Sequence, residues 1–255
     1  MPETRSLEWR ISIDYYTIKV KDAIGEQSID IVERQCTDPI YNPTFDPNSP
    51  YCDGFKRLAV GGLGNVQRTF LNNGRFKTSG IDFQLNWGMD AGPGRVTVST
   101  LINYLLDKKS AELANLPLVD YAGTFGPNQN GINGNSYKWR ALTEIGYTIQ
   151  DLGLTLRWQH LDSIDSADSA NNPATTIQGA PSHDLFDLLG TYNVTDSLKL
   201  RFGIENLFDE DPPLWGRNSD PPEGVVHGGS YYSAQYGNSY DQLGRRFYLG
   251  ARMYF

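Results

Sequence analysis

The chain has 255 residues, 39% of them hydrophobic and 20% charged, with a formal net charge of −8 at pH 7. Its mean hydropathy is −0.47 and no apolar run approaches the roughly 20 residues that a membrane helix needs, which excludes helical spanning. The acidic balance, without a stripe of clustered Lys and Arg, excludes a nucleic-acid surface.

A low mean hydropathy does not exclude a strand-built membrane protein, because every second residue of a barrel strand faces a wet interior. The 15 Tyr, 11 Phe and 5 Trp are an aromatic load that lipid-facing strands with interfacial girdles require. The N-terminal "MPETRSLEWR" has neither a basic region before an apolar core nor a small-residue cleavage site, so no signal peptide is read there. An exported chain of this kind is expected to be incomplete.

Period-two alternation then marks the strands in chain order. Leu7, Trp9, Ile11, Ile13 and Tyr15 form one face of a first strand running to about Val20, with Glu8, Arg10, Ser12 and Asp14 opposite. Cys36 and Cys52 lie in a turn-rich segment. In an oxidising compartment their spacing suits a disulfide closing a surface loop, and they lack the partners of a metal site. After a Gly-rich bend, a segment from Val66 to Met89 alternates Ile81, Phe83, Leu85 and Trp87 against Asp82, Gln84, Asn86 and Gly88. The turn "DAGPG" returns the chain into Val96 to Leu106.

The remaining strands follow the same rule. A polar segment, Asp107 to Ser136, precedes a strand from Trp139 to Ile149, and "QDLG" leads into Leu154 to His160. A second long loop precedes Phe186 to Tyr192, and "VTDS" leads into Leu198 to Ile204. A third, Asp209 to Tyr240, precedes the closing strand, which alternates Phe247, Leu249, Ala251, Met253 and Phe255 against Tyr248, Gly250, Arg252 and Tyr254. The count is eight strands with short turns at one end and long loops at the other, the pattern of an outer-membrane barrel. The Asp- and Asn-rich stretch from Asp162 to Asn172 lacks cation-loop spacing, and no metal or cofactor is expected. His160, His183 and His227 lie in or beside different loops with no catalytic motif around them, so no enzyme is expected.

Several segments resemble the C-terminal part of TonB-dependent outer-membrane receptors. They are "SIDYYTIKVKDAIG" from Ser12, the cysteine loop with Tyr51, "NNGRFKTSGIDFQLNW" from Asn72, "FGIENLFDEDPP" from Phe202, and the closing "YDQLGRRFYLGARMYF". The resemblance implies an all-β fold, an antiparallel transmembrane β-barrel segment of about eight long strands. These are the last part of a plugged barrel of about 22 strands, with short periplasmic turns and long extracellular loops. It implies that residues 1–255 are the C-terminal portion of that barrel, without the plug, in the outer membrane of a Gram-negative bacterium.

The implied activity is uptake of a bulky scarce nutrient, a ferric siderophore, cobalamin or an oligosaccharide, with this arc inactive alone. The implied partners are outer-membrane lipid, the missing N-terminal strands and plug, the barrel-assembly machinery, and the energy-coupling TonB complex acting through the complete receptor. Phe247, Leu249, Met253 and Phe255 carry the C-terminal barrel-insertion signal. Asp82, Arg201, Glu205 and Arg252 are expected in the lumen as wall contacts, with the two arginines facing Glu205, Asp82 or the plug. Gly80 is expected to permit a bulge or close approach where a long strand bends. The loop aromatics Tyr121, Phe125, Trp215, Tyr231, Tyr232 and Tyr236 are candidates to stack on a sugar or planar chelate. Two other readings share the strand count: a self-closing eight-stranded outer-membrane barrel serving as adhesin, structural protein or narrow pore, and a soluble carbohydrate-binding β module.

Overall fold

A computed structural model describes residues 7–58, 63–125, 135–170, 172–174, 179–213 and 240–254. In chain order the strands are β1 (Leu7–Glu26), β2 (Phe55–Arg57), β3 (Leu63–Val66), β4 (Phe70–Ala91), β5 (Gly94–Ala111), β6 (Val119–Asp120) and β7 (Thr124–Phe125). There follow β8 (Trp139–Ile149), β9 (Leu152–Leu161), β10 (Asp165–Ser166), β11 (His183–Thr195), β12 (Leu198–Glu205) and β13 (Arg246–Met253). Eight of these form one antiparallel path, β1-β4-β5-β8-β9-β11-β12-β13, and the short β6 adds to β5. Among the described residues β1 pairs only with β4 and β13 only with β12, so the sheet has two edges.

Three two-residue connections, after Ala91, Ile149 and Thr195, lie at one end of the sheet, and all the long connections lie at the other. Gly92 and Gln150 take positive φ in the first two, the conformation that lets so tight a turn follow the strand twist.

The register carries one apolar row across every main strand. Trp9, Trp87, Val98, Ile145, Leu156, Leu188, Ile204 and Phe247 lie side by side on one face. The expected period-two alternation is thus in phase from the first strand to the last. On β1 this face stays apolar from Leu7 to Tyr15, and Trp9, Ile13 and Tyr15 are each about two-thirds exposed. The eight steps of about 3.3 Å from Leu7 to Tyr15 cover about 26 Å along the strand, which matches the apolar band of about 25 Å on a membrane barrel.

Beyond Tyr15 the polarity of the two faces exchanges. Thr17, Ser79, Lys19 and Lys77 now occupy the formerly apolar face, while Ile18, Val20 and Phe76 occupy the other. The exchange coincides with a register shift between β4 and β5 at Ser79/Gly80. There Asp107 turns onto the outer face, 3.1 Å from Lys77 Nζ, and accepts a hydrogen bond from Ser79 Oγ. Gly80 sits at this bulge because a side chain has no room: a Cβ would lie 2.7 Å from the Tyr104 carbonyl oxygen and against the Tyr16 ring.

Two expected boundaries are corrected here. The strand expected to end near Val20 continues to Glu26, and the one expected to end at Leu106 continues to Ala111. Both extensions lie past the apolar band, where the alternation used to read the strands has inverted. The "cysteine loop" also contains a helix, α1 (Ile29–Thr37). Ser28 caps it by accepting from the Ile31 N–H, Asp30 sits in its first turn, and Ile31 and Val32 are buried. Glu112 Oε2 accepts from both the N–H and the Oγ of Ser28, at 3.0 and 2.9 Å, and so docks the helix start on the end of β5. Cys36 and Cys52 form a disulfide. No helix among the described residues is long and apolar enough to cross a membrane, which says nothing of crossing by strands.

Candidate functional site

The face opposite the apolar rows carries the polar residues, and their order is set by the same register. Arg10, Asn86, Ser99, Glu144, Arg157 and Asp187 form one row across six strands. Arg157 Nε donates to Glu144 Oε1 at 2.8 Å, and Arg157 Nη1 lies 3.9 Å from Asp187 Oδ2. Asp187 also accepts from Gln159 Nε2 at 3.2 Å and from the Asn206 N–H at 2.9 Å. This chain of carboxylates and guanidinium ties three strands together and anchors the exit of β12.

That exit is the "GIENLFDEDPP" segment. Asn206 takes φ +53° and is buried. Its Nδ2 donates to the Glu210 carbonyl and its Oδ1 accepts from the Glu210 N–H, both at 2.8 Å. A short amide side chain that tolerates the left-handed region therefore closes the turn from both sides.

The next two rows toward the long connections enclose a cavity of about 630 Å³ that opens on the polar face. One row runs Asp14, Asp82, Asn103, Arg140, Leu161 and His183. The other brings Gln84, Leu101, Leu142, Gln159 and Leu185 together. Asn103 Nδ2 donates to Asp82 Oδ1 at 2.7 Å and lies 3.4 Å from the Tyr16 hydroxyl. Arg140 has no hydrogen-bond or ion-pair partner among the described residues. His183 is 4% exposed and its Nε2 has no hydrogen-bond partner among the described residues. Leucines therefore floor a hollow whose rim is charged and polar, an arrangement suited to holding an amphipathic group.

On the outer face at the same level, His160 stacks on Trp139 with ring centroids 3.9 Å apart. Its Nδ1 lies 2.8 Å from Asp184 Oδ1, which also accepts from Trp158 Nε1 at 2.7 Å. Tyr15, Ile81 and Tyr104 continue the row of Trp139, three of its four residues aromatic, the position of an interfacial girdle.

The expected wall residues Asp82, Arg201, Glu205 and Arg252 all fall on the polar face. Among the described residues neither arginine meets Glu205 or Asp82. Glu205 is held by Arg246 Nε at 2.8 Å, and Asp82 by Asn103. Arg252 lies over the Tyr254 ring at 5.9 Å, and Arg201 has no hydrogen-bond or ion-pair partner among the described residues. Register decides this: β13 sets Arg246, not Arg252, opposite Glu205.

Phe247, Leu249 and Met253 are exposed on the apolar face, and Phe255 lies outside the described residues. Tyr121 and Phe125 are 3% and 5% exposed, and Phe125 packs with Tyr137, Ile164, Ala180 and Tyr240 into a core among the long connections. Trp215, Tyr231, Tyr232 and Tyr236 lie outside the described residues. His160 and His183, expected in or beside loops, belong to β9 and β11. Sequence reasoning missed Arg140, Asp187 and the partner role of Arg246. Their only signal was polar phase on a strand, which many residues share. Among the described residues no group of three or more His, Cys, Asp or Glu is placed to hold a metal ion.

A protein-family model described as "TonB dependent receptor-like, beta-barrel" matches residues 5–207. No curated protein matches the chain. Among solved structures, the FrpB iron transporter from Neisseria meningitidis (F3-3 variant) aligns with 96% of this chain at 11% identity and a TM-score of 0.49. The chain spans 29% of that transporter's length.

Proposed function

The chain belongs to the TonB-dependent receptor-like β-barrel family, whose members are transporters and not enzymes, and from that premise we propose that it is the C-terminal arc of an outer-membrane active-transport receptor. The observation that carries this reading is the single apolar band, about the thickness of a bilayer core, that continues in register across all eight main strands between two open edges. Open edges in lipid leave unsatisfied N–H and C=O groups, so the arc needs neighbouring strands on both sides. In this proposal residues 1–255 supply the last strands of a barrel of about 22, and further strands and a plug complete it.

The apolar face meets outer-membrane lipid, the polar face meets the lumen, and the three short turns lie at the periplasmic side. The long connections face outward and capture a bulky scarce nutrient: a ferric siderophore, cobalamin or an oligosaccharide. Energy coupling through the TonB complex reaches this arc by way of the complete receptor. The barrel-assembly machinery reads the closing strand with Phe247, Leu249, Met253 and Phe255.

The test is uptake by cells in which the reading frame carrying this chain is deleted. Radiolabelled ferric chelates, cobalamin and oligosaccharides are supplied at nanomolar concentration, with and without a protonophore. Energy-dependent uptake of one class that disappears on deletion and returns on complementation supports the proposal. Unchanged uptake of all three classes overturns it.

A further inference from the structure

The outer face carries a row of lysines above its apolar band. Register sets Lys19 of β1 directly opposite Lys77 of β4, and Lys77 directly opposite Lys109 of β5. Like charges directly opposite each other across strands destabilise a sheet, and here two such pairs follow one another in one row. The nearby carboxylates stand at its flanks, with Asp107 Oδ2 3.1 Å from Lys77 Nζ and Asp120 Oδ2 3.8 Å from Lys109 Nζ. Lys19 is exposed and has no ion-pair partner among the described residues. Three ammonium groups against two carboxylates leave the row cationic, and an anion laid along it from outside relieves the repulsion that the register builds in. The row faces outward whatever strands are added. Lys77 and Lys109 have neighbouring strands on both sides, and a strand joining the free edge of β1 leaves Lys19 on the same face.

Height on the barrel narrows the anion to a lipid headgroup. The row lies four residues beyond the girdle row of Tyr15 and Ile81. At about 3.3 Å per residue that is about 13 Å along the strand, or about 10 Å in height at a strand tilt of about 40°. The polar headgroup layer above a hydrocarbon core is about 5–7 Å deep on each side, and lysine stems bend along the surface to bring their charges toward it. We propose that Lys19, Lys77 and Lys109 form a docking row for the phosphate groups of a phosphorylated glycolipid in the outer leaflet. Two strand spacings, about 10 Å, separate the backbones of Lys19 and Lys109, so one headgroup carrying two phosphates meets all three lysines. Ammonium-to-phosphate hydrogen bonds are charge-assisted, and the acyl chains of the same lipid lie on the apolar band below.

The inference rests on the proposed function in taking the apolar face as the lipid side and the long connections as the outward side. Uptake is not the readout, so a failure of the transport reading and a failure of this row are separate results. The complete native protein that carries this chain is purified in detergent and offered two probes: lipid A, a glycolipid with two phosphate groups, and the same lipid dephosphorylated. Native mass spectrometry reads the bound lipid. Lipid A should bind at least tenfold more tightly than the dephosphorylated form. A lysine at a charged membrane surface changes binding by about fivefold. The double variant Lys19→Gln/Lys109→Gln leaves the Lys77–Asp107 pair intact, and should weaken lipid A by at least tenfold and the dephosphorylated lipid not at all. Arginine at the same two positions should restore lipid A binding. Asp120→Asn keeps the acceptor for the Lys108 and Ala122 N–H groups while freeing Lys109, and should tighten lipid A by a few-fold. Lys199→Gln, on the polar face, should change nothing. Heat-modifiable migration checks that each variant is folded. Equal affinity for the two lipids, a double variant that binds lipid A as the parent does, or displacement of lipid A by equimolar inorganic phosphate overturns the docking row. Binding of neither lipid overturns both the row and the lipid-facing reading of the apolar band.

Discussion

Asn206 is the residue on which the turn after β12 depends, and replacing it with Ala tests how that turn is held. The substitution removes the two side-chain bonds to Glu210, each worth about 1 kcal/mol. It also places a Cβ-bearing residue without a compensating side chain at φ +53°, which costs about 1–2 kcal/mol. The sum is about 3–4 kcal/mol of local stability. Asn206→Gly removes the same bonds but adopts the backbone freely, so it should cost about 2 kcal/mol.

Two amides that Asn206's side chain does not touch report the result. The Leu207 N–H donates to the Phe186 carbonyl at 2.6 Å, and the Arg245 N–H donates to Asp209 Oδ1 at 2.8 Å. Amide hydrogen exchange at both should accelerate by roughly 100-fold or more in the Ala variant, since each 1.4 kcal/mol is tenfold, and by about 30-fold in the Gly variant. Exchange at Leu207 and Arg245 that is unchanged in Asn206→Ala, or faster in the Gly variant than in the Ala variant, refutes this account of the turn.

Three further outcomes follow from the same contacts. Gly80→Ala puts a methyl 2.7 Å from the Tyr104 carbonyl oxygen and should destabilise the β4/β5 bulge by about 1–3 kcal/mol, read by exchange at Leu105; an unchanged rate contradicts the crowding. Reducing Cys36–Cys52, which closes a loop of 16 residues, should loosen the α1 segment by about 3 kcal/mol and open it to protease while the eight-strand sheet keeps its circular dichroism. Hydrogen bonds from Arg246 chiefly, helped by the Leu243 N–H and opposed by burial, hold the Asp241 carboxyl below the ordinary carboxylate range. Its folded pKa is the lower one, so its contribution is complete above the ordinary value of about 3.9 and is lost as pH falls through the lowered one. Exchange at Leu243, whose N–H donates to Asp241 Oδ1 at 3.0 Å, should therefore accelerate below that range beyond the intrinsic pH trend, and Asp241→Asn should remove the excess.

What could be read from the sequence is what is local along a strand. Alternation of the kind seen at Leu7 to Tyr15 or Phe247 to Met253 assigns each residue a face, and the two-residue turns at Gly92, Gln150 and Asp196 mark one end of the sheet. Alternation ceases to be a guide where the two faces exchange polarity, so the ends of β1 and β5 were read short. Helix α1 was hidden because its nine residues are few and its signals, the Ser28 cap with Ile31 and Val32, fit equally well in a polar loop.

Partners across strands were the least legible. Face parity allows Arg201, Arg246 or Arg252 to meet Glu205, and only the register of β13 on β12 selects Arg246. The hollow is less visible still. Asp82, Asn103, Arg140, Leu161 and His183 come from five strands, and their common row is the sum of four pairings, each of which a shift of one residue would undo.

The most direct test is the size of the native protein that carries this chain. An antibody raised against the connection between β12 and β13 is used on outer-membrane fractions resolved with and without heating. If the sheet is one arc of a larger plugged barrel, the antibody finds an outer-membrane species several-fold heavier than the 28.5 kDa of these 255 residues. A heat-modifiable band at 28.5 kDa would mean that the eight strands close on themselves, and would contradict the account.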